Sequence, residues 1–258
     1  MSTPNEKAQA LAALHTAPEI LRVVNVWDVV SATAIAALPE TRALATAGHS
    51  IAATFGYEDG ENIPLDLMLD MVGRIVASTD LPVTADLDSG FGNPGETVRK
   101  AIGVGIVGAN VEDKLQPLAD SVAAVEAVIA AGQAEGVDFV LNARTDAFVR
   151  GGDRPAAESV ADAIERGRAY LAAGATNVFV PGVLDADVTR QLVEGLGERK
   201  LSVIGFPGAL TAAEYEALGV ARISYGPTTQ RVALTALQDV AKELYADGVI
   251  PSSTRALN

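Results

Sequence analysis

The chain has 258 residues, 49% of them hydrophobic and 20% charged, enough for one large domain or two small ones around a substantial core. It has no cysteine, which excludes disulfides, thiolate metal sites and a cysteine nucleophile, and its formal charge of −14 argues against non-specific nucleic-acid binding. No run of about 18 or more apolar residues predicts a membrane span, and the N-terminal MSTPNEKAQALAALHTAPE lacks the basic-then-apolar order of a secretory leader, so a cytoplasmic protein is expected.

Along the chain, β-rich runs alternate with alanine-rich segments of helical period. Ile20–Trp27 reads as a strand and Asp28–Leu38 as a helix; Arg42–Ala47 as a strand and Pro64–Ser78 as a helix. Leu81–Asp88 then leads into Pro94–Val104, Gly108–Asp113 into Ser121–Ala134, and Phe139–Asp146 into Ala156–Ala173. Asn177–Pro181, Leu201–Phe206 and Ala221–Tyr225 complete the strands. Asp185–Leu196, Thr211–Leu218 and Thr228–Ala246 complete the helices. Strand followed by helix means parallel strands with crossover helices. Eight such units in one chain predict a (β/α)8 TIM barrel occupying residues 1–258 as a single domain. A doubly wound open sheet is the rival.

Side chains alternate along a strand. Thr84, Asp86 and Asp88 therefore share one face of the third strand, Asn110 and Glu112 one face of the fourth, and Asn142, Arg144 and Asp146 one face of the fifth. Polar residues gather at the C-terminal strand ends, where the active sites of such barrels sit.

The stretch ADLDSGFGNPGE, residues 85–96, admits two readings. Gly90-x-Gly92-x-x-Gly95 has the spacing of a dinucleotide loop, and Glu112 follows about 20 residues on. Against this, Asp86 and Asp88 would repel an approaching pyrophosphate. The alternative is a divalent cation. Mg²⁺ takes oxygen ligands and keeps several waters, so one or two direct carboxylates suffice. Two acids on an inward face cost desolvation unless a cation compensates. Their bland reading is that they cap helices or pair with Arg144; Ser89 or Asn93 could cap instead.

These residues resemble the isocitrate lyase/phosphoenolpyruvate mutase superfamily. The matching pieces are NVWDVVSA (25–32), TAGHSIAATFGYEDG (46–60), TADLDSGFGNP (84–94), GANVEDK (108–114), NARTDAF (142–148), FVPG (179–182) and GVARISYGP (219–227). The resemblance implies a (β/α)8 barrel with its last helix swapped between subunits, with residues 228–258 as C-terminal oligomerisation helices of a tetramer built from dimers. It implies Mg²⁺, or Mn²⁺, and small oxo-acid substrates cleaved or rearranged through a pyruvate-type enolate.

Carried over by position, Asp86, Asp88 and Glu112 would hold the metal, with Asp59 as an outer, water-mediated member. Arg144 would meet the substrate carboxylate in a two-pronged grip while adding little to core packing. Thr46, Ala47, Gly48 and His49 would cradle the pyruvyl group, with Ala47 where the family's usual serine stands. Asp59, His49 and Arg144 are thus the candidate catalytic residues. Trp27 and Asp28 open the first βα turn as further substrate candidates, though Trp27 suits a core role. For Tyr57 and Tyr225 a structural hydrogen bond is expected, and Lys114 could pair with Asp113 or serve the gate. RGGDRP (150–155) reads as a connecting loop.

The departure lies in the gate. Isocitrate and methylisocitrate lyases carry a Lys-Lys-Cys-Gly-His-type loop, and phosphonopyruvate-type members a Lys-x-Asn. Here the chain reads EDKLQPLADS (112–121), with Leu118 and Asp120 at those places. The reading left standing is a lyase of a small oxo- or hydroxy-dicarboxylate of oxaloacetate or methylisocitrate type. A P–C bond mutase or hydrolase, and a non-catalytic binding barrel, are the alternatives. The substrate's third substituent (carboxylate, phosphonate or alkyl) and the proton donor stay open.

Overall fold

A computed structural model describes residues 2–257. All nine strands pair in parallel, in the order β1-β9-β8-β7-β6-β5-β4-β3-β2. The strands are β1 (Leu21–Val23), β2 (Asn25–Val26), β3 (Leu44–Thr46), β4 (Val83–Asp86), β5 (Gly108–Glu112), β6 (Val140–Arg144), β7 (Asn177–Phe179), β8 (Leu201–Ile204) and β9 (Arg222–Ser224). The expected eight units are present. The first expected strand, Ile20–Trp27, is divided at Val24, and this division closes the barrel. Leu21–Val23 pairs with β9 and Asn25–Val26 with β3, so one continuous segment serves both edges of the sheet.

Asn25 seals that seam. Its Oδ1 accepts the amides of Tyr225 and Gly226 at 2.7 and 2.9 Å, and its Nδ2 donates to the Thr46 carbonyl at 2.9 Å. Asn25→Ala would leave three buried backbone groups without partners. At about 1–3 kcal/mol for each unsatisfied group, partly relieved by water, the variant should lose about 3 kcal/mol. A lower urea midpoint at unchanged slope would register it.

The helices are α1 (Pro4–Thr16), α2 (Val29–Ala36), α3 (Gly48–Thr54), α4 (Leu65–Ala77), α5 (Pro94–Gly103), α6 (Leu118–Ala134), α7 (Ala156–Ala172), α8 (Ala186–Leu196), α9 (Ala212–Ala217) and α10 (Thr228–Ala246). α1 and α3 are additions to the expected set. A capping box starts α1: Thr3 accepts from the Glu6 amide and Glu6 from the Thr3 amide. Its Leu11 and His15 are fully buried. A Cβ on Gly108 would stand 3.0 Å from Leu11 and 2.7 Å from the Val140 carbonyl, so glycine lets α1 sit against the start of β5. α6 begins at Leu118 rather than Ser121, so Asp120 lies in a helical first turn instead of a free gate loop. Beyond α10, residues 247–257 form turns and extended chain among the described residues, so the expected C-terminal helices are one helix; Gly248 and Pro251 end it.

No helix of the described residues is long and apolar enough to cross a membrane. The apolar core lies between the sheet and its helices. The barrel interior is polar and carries Thr84, Asn110, Asn142 and Arg222, all buried.

Candidate active site

β4, β5 and β6 run side by side, with Asp86 opposite Asn110 and Glu112 opposite Arg144. That register brings the candidate residues to one mouth. Glu112 Oε2 meets Arg144 Nη1 at 2.7 Å, and Arg144 Nε meets Asp146 Oδ1 at 2.8 Å. Asp146, fully buried, also holds Arg150 at 2.9 Å. Two guanidinium positions of Arg144 are thus spoken for. Arg144 thus joins buried acids rather than adding little to the structure, and three of its five N–H donors, on Nη1 and Nη2, are not used in these pairs.

Asp86 Oδ2 accepts the Gly48 amide at 3.1 Å, at the start of α3. The capping alternative therefore holds in part for Asp86, since that amide belongs to the first turn of a helix, though of a different unit. Arg144 pairs with Glu112 and Asp146 rather than with Asp86 or Asp88. Burial pushes the Asp86 carboxyl up against the opposing pull of Arg144. Asp88 is pushed up to about 8 by burial and then by facing Asp86 and Glu112, and Glu112 to about 7 by burial against the pull of Arg144. Three buried carboxylates share the positive charge of Arg144, so the site is short of counter-charge.

The donors are all carboxylate oxygens, which fits a hard cation such as Mg²⁺. Among the described residues no three His, Cys, Asp or Glu side chains form a ready-made cage. A cation here would bind one or two carboxylates directly and reach the others through water.

His49 Nδ1 approaches Asp59 Oδ2 at 3.3 Å at the exposed rim, a contact without the alignment of a hydrogen bond. The other cradle residues divide. Gly48 and His49 stand in the first turn of α3, whose amides have no intrahelical acceptor. Thr46 and Ala47 are buried behind them, and the Thr46 hydroxyl accepts the Asp86 amide at 3.1 Å. Thr46 therefore helps position Asp86. Asp28 caps α2, its Oδ1 accepting the Ser31 amide at 2.7 Å. Trp27 packs against the core.

Glu61 escaped the sequence reading. Its Oε1 accepts the Ser89 amide and hydroxyl and the Phe91 amide, and its Oε2 holds Lys114 Nζ at 2.9 Å. These bonds tie the loop after β4 to the loop after β5. They also count against the dinucleotide reading, because Ser89, Gly90, Phe91 and Asn93 already spend their loop amides within the protein. Gly90, at φ +89, instead makes the turn into α5; a Cβ there would lie 2.6 Å from Pro94. Asn93 caps α5, accepting from Glu96.

Asp113 braces the opposite side. It accepts from Tyr170 at 2.7 Å and from the amides of Leu115 and Asp146 at 2.9 and 3.0 Å. Of the six non-glycine residues with positive φ among those described, five stand at this mouth: Glu61, Asp88, Phe91, Lys114 and Leu115. Strain of that kind persists only where surrounding contacts over-determine it.

Residues 11–245 match the family of phosphoenolpyruvate phosphomutases. The chain belongs to that family. It is thereby an enzyme of the isocitrate lyase/phosphoenolpyruvate mutase superfamily. Among curated relatives of this phosphomutase-family chain, it is 28% identical to an oxaloacetate decarboxylase of Rhodopseudomonas palustris, over 98% of this chain and 89% of the other. It is 29% identical to the 2-methylisocitrate lyase of Escherichia coli K12, over 80% and 74% of the two chains. A crystal structure from Burkholderia cenocepacia J2315, of a protein provisionally described as a phosphonomutase, superposes with a TM-score of 0.87 at 36% identity, covering 93% of this chain and 99% of that one.

Proposed function

We propose that this chain is a Mg²⁺-dependent carbon–carbon lyase that cleaves a small 2-oxo or 2-hydroxy dicarboxylate through a pyruvate-type enolate. The observation that carries this reading is the buried cluster Asp86, Asp88 and Glu112 set against Arg144 at the barrel mouth, an acidic site that needs a cation and stands beside a fixed guanidinium. Mg²⁺ held by these acids would supply Lewis-acid polarisation of a substrate carboxylate and its neighbouring oxygen. Arg144 Nη2 stabilises the oxyanion that develops as the bond to C3 breaks. Asp146 and Glu112 keep the guanidinium plane in place, so no reorganisation is needed at that moment. The His49 and Ser50 amides in the first turn of α3, beside the Gly48 amide that Asp86 takes, orient the carboxylate, and the His49–Asp59 pair stands at the rim, where a proton must pass. The decarboxylase and lyase relatives support the reaction class.

A phosphonate P–C mutase is the second reading, favoured by the 36% identity to the Burkholderia chain. The 115–121 segment lacks the Lys-x-Asn expected of that chemistry. Incubating the protein with Mg²⁺ and oxaloacetate, isocitrate, methylisocitrate, 2,3-dimethylmalate and phosphonopyruvate separates the two. Pyruvate or glyoxylate release from a dicarboxylate supports the lyase. Turnover of phosphonopyruvate alone would replace it.

The enzyme is also read as a homo-oligomer that exchanges α10. Val232, Leu234 and Leu237 on this helix are 64%, 55% and 62% exposed, an apolar surface that a second copy would cover. Truncation after Thr228 should give aggregated protein. A soluble, fully active monomer from that truncation would contradict the exchange.

A further inference from the structure

We infer that Glu61 is a positioning residue of the cation site: one of its oxygens fixes the backbone that carries Asp88, and the other holds Lys114, two residues beyond Glu112. The inference rests on the metal reading of the acidic cluster. Glu61 itself stands in the connection between α3 and α4, away from the strands that bear the cluster.

The loop after β4 has few means of holding itself. The Gly90 and Asn93 amides are taken by the Leu87 and Gly90 carbonyls, at 2.9 Å each. The Ser89 and Phe91 amides have a single acceptor among the described residues, Glu61 Oε1, at 3.0 and 2.7 Å, and the Ser89 hydroxyl joins them at 2.8 Å. Ser89 directly follows Asp88. Asp88 and Phe91 are left-handed, at φ +48 and +49. Such backbone persists only where contacts over-determine it. For Asp88 those contacts lie on both sides. Its carbonyl accepts the Glu112 amide at 2.7 Å, and the next amide is in the grip of Glu61. The aim of the Asp88 carboxylate therefore depends on a side chain 27 positions earlier in the chain.

The second oxygen gives the acid its counter-charge. Glu61 Oε2 meets Lys114 Nζ at 2.9 Å, and the two side chains are 18% and 24% exposed, so solvent screens the pair weakly. Lys114 is also left-handed, at φ +46. With both oxygens occupied and its charge matched, Glu61 stands beside Asp88 without becoming a further ligand or a further unmatched acid. Asp88 and Glu112 are thereby held by one unit that spans the loops after β4 and β5.

Charge-balanced double variants test this role apart from electrostatics. Glu61→Gln with Lys114→Met keeps an oxygen for Ser89 and Phe91, and Glu61→Met with Lys114→Met removes it; each pair loses one acid and one base. Mn²⁺ binding to chelator-stripped protein can be followed by the electron paramagnetic resonance of the free ion. The first pair should bind within about threefold of wild type, and the second at least about tenfold more weakly. In the metal-free proteins the Ser89 and Phe91 amides should resist hydrogen exchange in wild type and in the first pair, and exchange freely in the second. Glu61→Asp keeps the charge but is one methylene short of the loop. It should weaken Mn²⁺ binding about as much as the second pair, and it decides the matter if that pair does not fold. Equal Kd for the two double variants, or wild-type affinity in Glu61→Asp, overturns the inference and leaves the metal reading intact. Wild type that binds no Mn²⁺ sinks the metal reading, and the inference with it.

Discussion

Arg144→Ala is expected to lower kcat/KM by about 10³-fold and, separately, to destabilise the fold by about 3–5 kcal/mol. The catalytic loss follows from removing a preorganised charge aimed at the developing oxyanion. The stability loss follows from what Arg144 touches. Glu112 and Asp146 are both buried, and each would be left facing the other's charge with its main partner gone. Arg150 would still hold Asp146, which limits the damage on that side. Arg144→Lys should recover part of the stability and little of the rate, because one ammonium cannot bridge two carboxylates 2.7 and 2.8 Å from different guanidinium nitrogens and still face the substrate. Urea unfolding and initial rates on the same preparations measure both effects. Full stability in Arg144→Ala would mean that the two ion pairs contribute nothing measurable.

Asp88→Asn should have the opposite sign on stability. Asparagine keeps the shape and tolerates the left-handed backbone at φ +48, so the change removes charge and little else. In the metal-free protein Asp88 titrates near 8, against an ordinary value of 3.8. The folded state therefore holds a proton that the unfolded state gives up across that interval. Stability linked to this group is complete below about pH 4 and falls as pH rises toward 8. Glu112, raised to about 7, adds to the same trend. Metal-free wild type should thus be less stable at pH 8 than at pH 5. Asp88→Asn should gain about 1–3 kcal/mol at pH 8, and the gain should shrink at pH 5. Its kcat/KM with Mg²⁺ should fall by about 10²-fold or more. Thermal melts in EDTA across that range check the sign, and a variant less stable than wild type at pH 8 would show that the acids are not in conflict.

The barrel was legible because hydrophobic runs and alanine-rich segments alternate without interruption, and because the polar residues of three adjacent strands, Asp86, Glu112 and Arg144 among them, fall on one face near the C-terminal strand ends. The division of the first strand at Val24 was not legible, since closure is a property of the whole sheet and leaves no local mark. α1 has a local mark in the sequence, the Thr3 and Glu6 capping-box spacing around Pro4. The capping of α2 by Asp28 and the bond from Thr46 to the Asp86 amide were not legible, because a resemblance assigns a position whereas local geometry decides what a side chain also touches. Glu61 lies in YEDGENI beside Glu58 and Asp59, and nothing in sequence separates the acid that locks two loops from its neighbours. Its partners, Ser89, Phe91 and Lys114, are 28, 30 and 53 residues away. The left-handed backbone at Lys114 is equally silent, because lysine does not advertise a positive φ; aspartate, as at Asp88, is among the few types that do.

The central claim is that the cluster of Asp86, Asp88 and Glu112 carries a divalent cation that turnover requires. Titration of Mg²⁺ into chelator-stripped protein, with pyruvate release followed from oxaloacetate and 2,3-dimethylmalate, tests it most directly. Wild type should be inactive in EDTA and recover saturably with Mg²⁺ or Mn²⁺, and Asp88→Asn should not recover at the same concentrations. Full turnover in chelator, or equal Mg²⁺ saturation in the two proteins, would contradict the account.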